Sequence, residues 1–302
     1  MEAARERGGE LDFVEHFAAP FPLQVICDML GVPPSDEAQI FEWTNLINGI
    51  GDPEFGYSLE KLKSTIMEMY EYALALGRDR RQNPRDDIAS ILMAAEVDGK
   101  RITANEFANF FNLLAGAGNE RTRHAISWGA KSLTDHPGQR EELRNDYDAS
   151  SLRAVDEIVR WSSPVIHMRR VAPEDTVLGG QQILAGEKVV MWYWSANRDE
   201  EVFPDGASSD IHRANVKDQA GYGSGGPHFC LGANLARREI QVMFDEILRG
   251  LPNLEVTGEP DRLMSSFLNG IKRLPCSVAR TRRFASRSFT SSKTDRPPTR
   301  GG

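Results

Sequence analysis

The sequence predicts a mainly α protein with a small β-sheet. Three observations carry this. Amphipathic stretches with helix-ending signals follow one another from Phe21 to about Trp161, one short region from Asp175 to Trp194 alternates with a period of two, and no βαβ unit recurs. "FPLQVICDMLGVPPSD" reads as a helix closed by Gly31 and Pro33, and Ser35, with Asp36 and Glu37 beside it, opens the next, "EAQIFEWTNLI". A long amphipathic helix follows from Leu59 to about Arg80. "NPRDDIASILMAAEVDG" is a further helix, with Asp86 and Asp87 in its first turn and Gly99 past its end. The run from Thr103 to Pro137 is helical as well, yet holds Gly116 and Gly118, each costing about 1 kcal/mol relative to alanine. Such a pair either kinks a helix or lets something large and flat lie against it. After the helix "LRAVDEIVRW", the stretch "DTVLGGQQILAGEKVVMWYW" gives two or three strands punctuated by Gly179, Gly180 and Gly186. A polar connection leads to "LGANLARREIQVMFDEILRGLP", helical until Gly250 and Pro252.

At 302 residues, 40% of them hydrophobic, the chain has enough apolar material for a large core. Its longest strongly apolar run, "VVMWYW", is far short of the ~20 residues that cross a bilayer, and the charged start "MEAARERGGELDF" is unlike a signal peptide. No membrane span and a cytoplasmic location are therefore expected. A net charge of -8 excludes nucleic acid as the main partner, because neutralising phosphates takes a concentrated basic surface. The one basic concentration is the tail. From Ala279 onward seven Lys or Arg meet one acid with no period that would bury a face, so the domain is expected over 1–278 and a disordered tail over 279–302. Cys27, Cys230 and Cys276 stand far apart without a C-x-x-C, which argues against a disulfide framework or a cysteine zinc site. A chemically active cysteine must work alone; Cys27 and Cys276 read as buried apolar filler.

The segment "GYGSGGPHFCLG", Gly221 to Gly232, admits two readings. Gly221, Gly223 and Gly226 fit the G-x-G-x-x-G of a dinucleotide loop, but that loop follows a buried strand and offers free N–H groups to phosphate. Here a polar "RANVKDQA" precedes it, Pro227 removes a donor, and no P-loop lysine follows. In the second reading the glycines press a loop against a flat ligand and deliver Cys230 to the front of a helix, where free N–H groups favour a thiolate. A thiolate ligand to haem iron needs that arrangement.

With these residues in view the chain resembles the cytochrome P-450 monooxygenases. "GGPHFCLG" is similar to their haem-ligand loop, with Gly226, His228, Cys230 and Gly232 in place and Tyr222 and Ser224 departing from the commoner Phe and Gly. Glu157 and Arg160 match E-x-x-R, Arg169 follows in "SPVIHMRR", and "SANRDEEVFPD" and "DIHR" come at family spacing. "AGAGNERTR" resembles the oxygen-binding segment of the long helix through Ala117, Gly118 and Glu120. The resemblance implies haem b held by Cys230 as axial ligand, with Phe229, Gly226, Gly232, Ala117 and Gly118 against it and His228 and Arg169 on its propionates. It also implies Arg213 as the structural partner of Glu157 and Arg160, and a proton relay through Glu120 and Thr122. Leu113, Leu114, Val165, Ile166, Phe267 and Leu268 would face a hydrophobic substrate. The runs "ICDMLGVP" and "CLGANLARREIQVMFDEI" are most similar to the actinobacterial branch that hydroxylates sterols and methyl-branched lipids. Electrons would come from a ferredoxin and its NAD(P)H-dependent reductase, with Arg237 and Arg238 offering cations to an acidic ferredoxin.

Two departures matter. Where the family places a threonine that serves proton delivery, this chain has Arg121, with Thr122 one place later. The family's N-terminal portion, including a W-x-x-x-R that grips a propionate, is not found ahead of "DFVEHFAAPFPLQVICDMLG". The resemblance therefore implies a fold lacking its N-terminal portion. It leaves a second reading open: a non-catalytic remnant that binds lipid or a protein partner.

Overall fold

One long helix organises the chain, and glycines let its neighbours approach it closely. The computed structural model describes residues 8–56 and 58–279; the basic tail from Arg280 onward lies outside the described residues. In chain order, strand β1 (Gly9–Asp12) leads through a π-turn at Val14–Ala18 into helices α1 (Pro20–Leu30), α2 (Glu37–Asn48), α3 (Leu59–Gln82) and α4 (Ile88–Ala94). A short hairpin, β2 (Glu96–Val97) and β3 (Lys100–Arg101), precedes the spine α5 (Ala104–Asp135). Then come α6 (Pro137–Asn145), α7 (Tyr147–Ser162), strands β4 (His167–Val171), β5 (Thr176–Leu178), β6 (Gln181–Ile183) and β7 (Lys188–Trp192), and the short α8 (Tyr193–Ala196). The chain ends in α9 (Ala233–Gly250) and strands β8 (Glu255–Val256), β9 (Asp261–Arg262), β10 (Ile271–Arg273) and β11 (Pro275–Val278).

Helix α5 starts on a capping box. Thr103 Oγ1 accepts from the Glu106 N–H at 3.2 Å, and the Glu106 carboxylate accepts from the Thr103 N–H at 2.8 Å. The helix then runs unbroken to Asp135, packing on α1, α3, α7 and α9. The glycines inside it are crossing points. A Cβ on Gly118 would come 2.8 Å from Ile26 of α1, and one on Gly129 2.6 Å from Phe244 of α9. Gly118 therefore makes room for a neighbouring helix. The expectation that it lies against a cofactor is corrected on this point.

The strands form several small pieces instead of one sheet. β4 pairs antiparallel with β7 from His167↔Trp192 to Val171↔Lys188, and β5 and β6 make a separate hairpin turned at Gly179 and Gly180, both at positive φ. β1, β11 and β8 form a three-stranded antiparallel sheet that joins the two ends of the described chain. Ser35 does not cap α2: its hydroxyl donates to Asp36, and a 3₁₀ turn at Pro34–Asp36 leads into the helix. No helix among the described residues is long and apolar enough to cross a membrane.

Candidate functional site

The rigid base of the site is a buried ion cluster on α7. Glu157 and Arg160 lie one turn apart, both fully buried, and pair through two hydrogen bonds of 2.7 Å. Arg160 also donates to the carbonyls of Gly206 and Ser208, each at 2.8 Å, and its guanidinium lies 5.3 Å from the Phe203 ring centroid. Arg213 approaches Glu157 at 3.3 Å and donates to Pro204 O at 2.8 Å. The Asp210 N–H donates to Glu157 Oε1 at 2.8 Å. One carboxylate and two guanidinium groups thus tie the irregular segment 197–213 to α7, and that segment leads into the cysteine loop.

The loop itself is held by backbone. The Gly223 N–H donates to Ala220 O at 2.8 Å, the Cys230 N–H to Tyr222 O at 2.9 Å, and the Phe229 N–H to Gly226 O at 3.0 Å. Gly223, Ser224, Gly225 and Gly226 all take positive φ, a run that glycine accommodates and that leaves Ser224 strained. Behind it Tyr222 is buried, its ring covered by Arg237 at 4.4 Å, and Arg237 pairs with Asp156 at 2.7 Å. Burial and the neighbouring carboxylate push the Tyr222 phenol up. Arg237 is thus used inside the fold, which corrects its expected role as a free cation; Arg238 is exposed.

Cys230 is half-buried and lies just ahead of α9, whose N-cap, Gly232, has no side chain to cap it. The residues fit a haem on this side. Cβ atoms on Gly225, Gly226 and Gly232 would point into open space, and Phe229 and Leu231 are 46% and 82% exposed, apolar surface that a flat macrocycle would cover. Among the described residues no cluster of His, Cys, Asp or Glu could hold a metal ion, so one cysteine suits a group that brings its remaining ligands with it. His228 is exposed beside the loop. Arg169 is exposed on the face of β4 shared with His167 and Val171, while half-buried Arg170 takes the other face.

Opposite the loop, α5 presents Leu113, Ala117 and Arg121, four residues apart and so on one stripe. Arg121 and Cys230 are close enough for their charges to act on each other. The neighbouring residues turn elsewhere. Glu120 is buried, pairs with Arg123 and lies 3.5 Å from His124 Nε2; desolvation raises its carboxyl pKa, and Arg123 opposes this. The Ile271 N–H meets His124 Nδ1 at 3.3 Å, which places the His124 proton on Nε2, towards Glu120. Burial, and then the Arg123 charge, hold this imidazole neutral. Arg123 further donates to Asn45 at 2.8 Å. Spacing of three and four from Glu120 would have pointed to Arg123 and His124; Asn45 has no such signal.

Thr122 is buried and its hydroxyl bonds Gly118 O at 3.4 Å, facing Glu239 of α9. This corrects the expectation that Thr122 replaces the missing threonine: one step along a helix rotates a side chain by about 100°, away from the Arg121 stripe. Burial pushes the Glu239 carboxyl up to about 7. A raised carboxyl makes the fold bind a proton that the unfolded chain releases near 4.5, so stability falls as pH rises from about 4.5 to 7 and is then level. Glu239→Gln is therefore expected to add about 2–3 kcal/mol at pH 8 and almost nothing at pH 4.5. Urea unfolding of both chains checks this, because the His124 contribution cancels in their difference.

The expected substrate residues divide. Val165 and Leu268 pair as a β-bridge and are buried in a cluster with Tyr193, Ala220 and Leu263, and Leu114 packs on the α1 and α3 side. Val165 and Leu268 are core, which corrects their expected role, and Leu114 is half-buried. Leu113 is 60% exposed, and Ile166 and Phe267 are half-buried. Adjacent residues of an extended segment face opposite ways, so Val165 and Ile166 cannot share one role. A W-x-x-x-R spacing occurs at Trp194 and Arg198, stacked at 3.5 Å, but Arg198 donates to Trp161 O and so braces α7.

The sequence profile of the cytochrome P450 family matches residues 152–273. A methyl-branched lipid omega-hydroxylase of Mycobacterium tuberculosis is 49% identical over 266 residues, covering 88% of this chain and 62% of that protein. A steroid C26-monooxygenase of Rhodococcus jostii is 44% identical over 271 residues, 90% of this chain and 56% of its own length. This chain thus spans about three fifths of those curated relatives. Among solved structures, a Mycobacterium marinum cytochrome P450 in complex with pseudoionone superposes with a TM-score of 0.87 at 41% identity, over 91% of this chain and 67% of that one. The Bacillus subtilis cytochrome P450 of bacillaene polyketide synthase gives 0.83 at 32% identity, over 92% and 71%.

Proposed function

The chain belongs to the cytochrome P450 family, and from that premise we propose that it is a haem-thiolate monooxygenase of a hydrophobic lipid or sterol. The observation that carries this reading is Cys230, presented by the left-handed glycine loop opposite the open stripe of α5. Haem bound there would supply activation of O2 for insertion of one oxygen atom into a C–H bond. The chain's own residues divide the remaining work. Cys230 would hold the haem iron through its thiolate, Phe229 and Leu231 would cover the macrocycle, and His228 and Arg169 would hold its propionates. Leu113, Ile166 and Phe267 give an apolar wall that orients the substrate and excludes water. Glu120, paired with Arg123, is the group that would hold a proton behind the α5 stripe. A ferredoxin with its NAD(P)H-dependent reductase is the proposed electron source, docking near exposed Arg238.

Arg121 favours a second reading, a lipid-binding remnant without oxygen chemistry, because a half-buried cation stands where the family has a threonine. Expression with a haem precursor, followed by reduction and carbon monoxide, separates the two. A red-shifted Soret band that disappears in Cys230→Ser is the expected result; absence of haem uptake would leave only the remnant.

A further inference from the structure

Arg121 is a cation without a counter-ion. Among the described residues no Asp or Glu pairs with it, and its one hydrogen bond, Nη1 to Gly116 O, is long at 3.5 Å. The neighbouring carboxylate, Glu120, is engaged by Arg123 on the inner side of α5. An apolar ring stands beside the guanidinium, Phe267 at 5.8 Å, and Ala117 and Leu113 continue the stripe one and two turns back along α5. A half-buried charge with no counter-ion in the protein is open to pairing with an anion from outside. A guanidinium fork matches a carboxylate through two parallel hydrogen bonds, and the flanking surface asks for a ligand with an apolar body. Phe267 also meets His167 edge-on at 6.0 Å, and the buried Nδ1 of His167 has no partner among the described residues.

We propose that Arg121 anchors the carboxylate of a fatty-acid-type amphiphile whose chain runs along Ala117, Leu113 and Phe267. The proposal rests on the reading that the space between α5 and the Cys230 loop is the ligand site. Bound in this way, the ligand presents its carboxyl end, and not its chain end, to Cys230.

The test is calorimetric titration of the full 302-residue chain with dodecanoate, dodecan-1-ol and acetate below their aggregation limits. Dodecanoate should bind at least tenfold more tightly than the alcohol, about 1.4 kcal/mol. That preference should vanish in Arg121→Thr and Arg121→Gln, with alcohol binding unchanged. Equal binding of acid and alcohol, or a preference that survives in both Arg121 variants, overturns the anchor alone. Acetate as tight as dodecanoate reduces the site to a small-anion site and also overturns it. Binding of neither lipid overturns the ligand-site reading as well.

Discussion

Arg160→Ala should lower the stability of the fold by about 3–5 kcal/mol, the usual result of breaking a buried ion pair from one side. The loss would leave the Glu157 carboxylate buried, with Arg213 at 3.3 Å as its remaining cation, and would strip donors from the carbonyls of Gly206 and Ser208. Against a typical total of about 5–15 kcal/mol this is a large fraction, so partial unfolding at ordinary temperature is expected. Because the freed carbonyls belong to the segment leading into the cysteine loop, haem uptake should fall with stability. Arg101→Ala is the comparison. Its partner Glu96 lies 3.2 Å away with both side chains more than half exposed, and pairs of that kind are worth about 0–1 kcal/mol. Guanidinium unfolding of both variants reads the contrast. A loss in Arg160→Ala no larger than in Arg101→Ala would remove the cluster from its structural role.

The helices were legible because their amphipathic periods and caps are local. Thr103 with Glu106 announces α5, and Gly31, at φ 73°, ends α1. The division of the strands into separate pairs was not legible, since pairing such as β1 with β11 joins residues far apart in the chain. At the site, the place of Cys230 just ahead of a helix could be read from the sequence, and the Glu157–Arg160 pair only through the resemblance to the family. What spacing does not fix is which side of an element faces the ligand. Thr122, one residue beyond Arg121, turns to Glu239, and Val165, beside Ile166, turns into the core. Gly118 shows the same limit: a glycine in a helix signals close approach, but only the tertiary arrangement identifies Ile26 as the neighbour. Glu239 had no signal at all, because a carboxylate on the amphipathic helix α9 reads as solvent-facing until the crossing with α5 buries it.

Arg121→Thr should raise the rate of product formation on a neutral hydrophobic substrate by about 10²-fold, the low end of what a positioned proton-transfer group contributes, and with it the product formed per NAD(P)H consumed. Arginine at this position is a bulky donor with no acceptor capacity, whereas a threonine hydroxyl both donates and accepts and can pass a proton on. Burial, with Glu120 and Cys230 acting against it, pulls the Arg121 pKa down, which marks a charge held in a poorly solvated place. Since Thr122 faces Glu239, no hydroxyl from the next residue makes up the loss. Arg121→Ala separates the two contributions: removing bulk and charge alone should restore substrate access without restoring coupling. Equally high coupling in the native chain and in Arg121→Thr would sink the idea. The charge of the substrate then connects this result to the carboxylate anchor. With dodecanoate the same replacement should weaken binding while coupling rises, whereas with a neutral sterol only coupling should change. A chain in which Arg121→Thr improves both substrates alike would have an arginine that obstructs the site and recognises nothing.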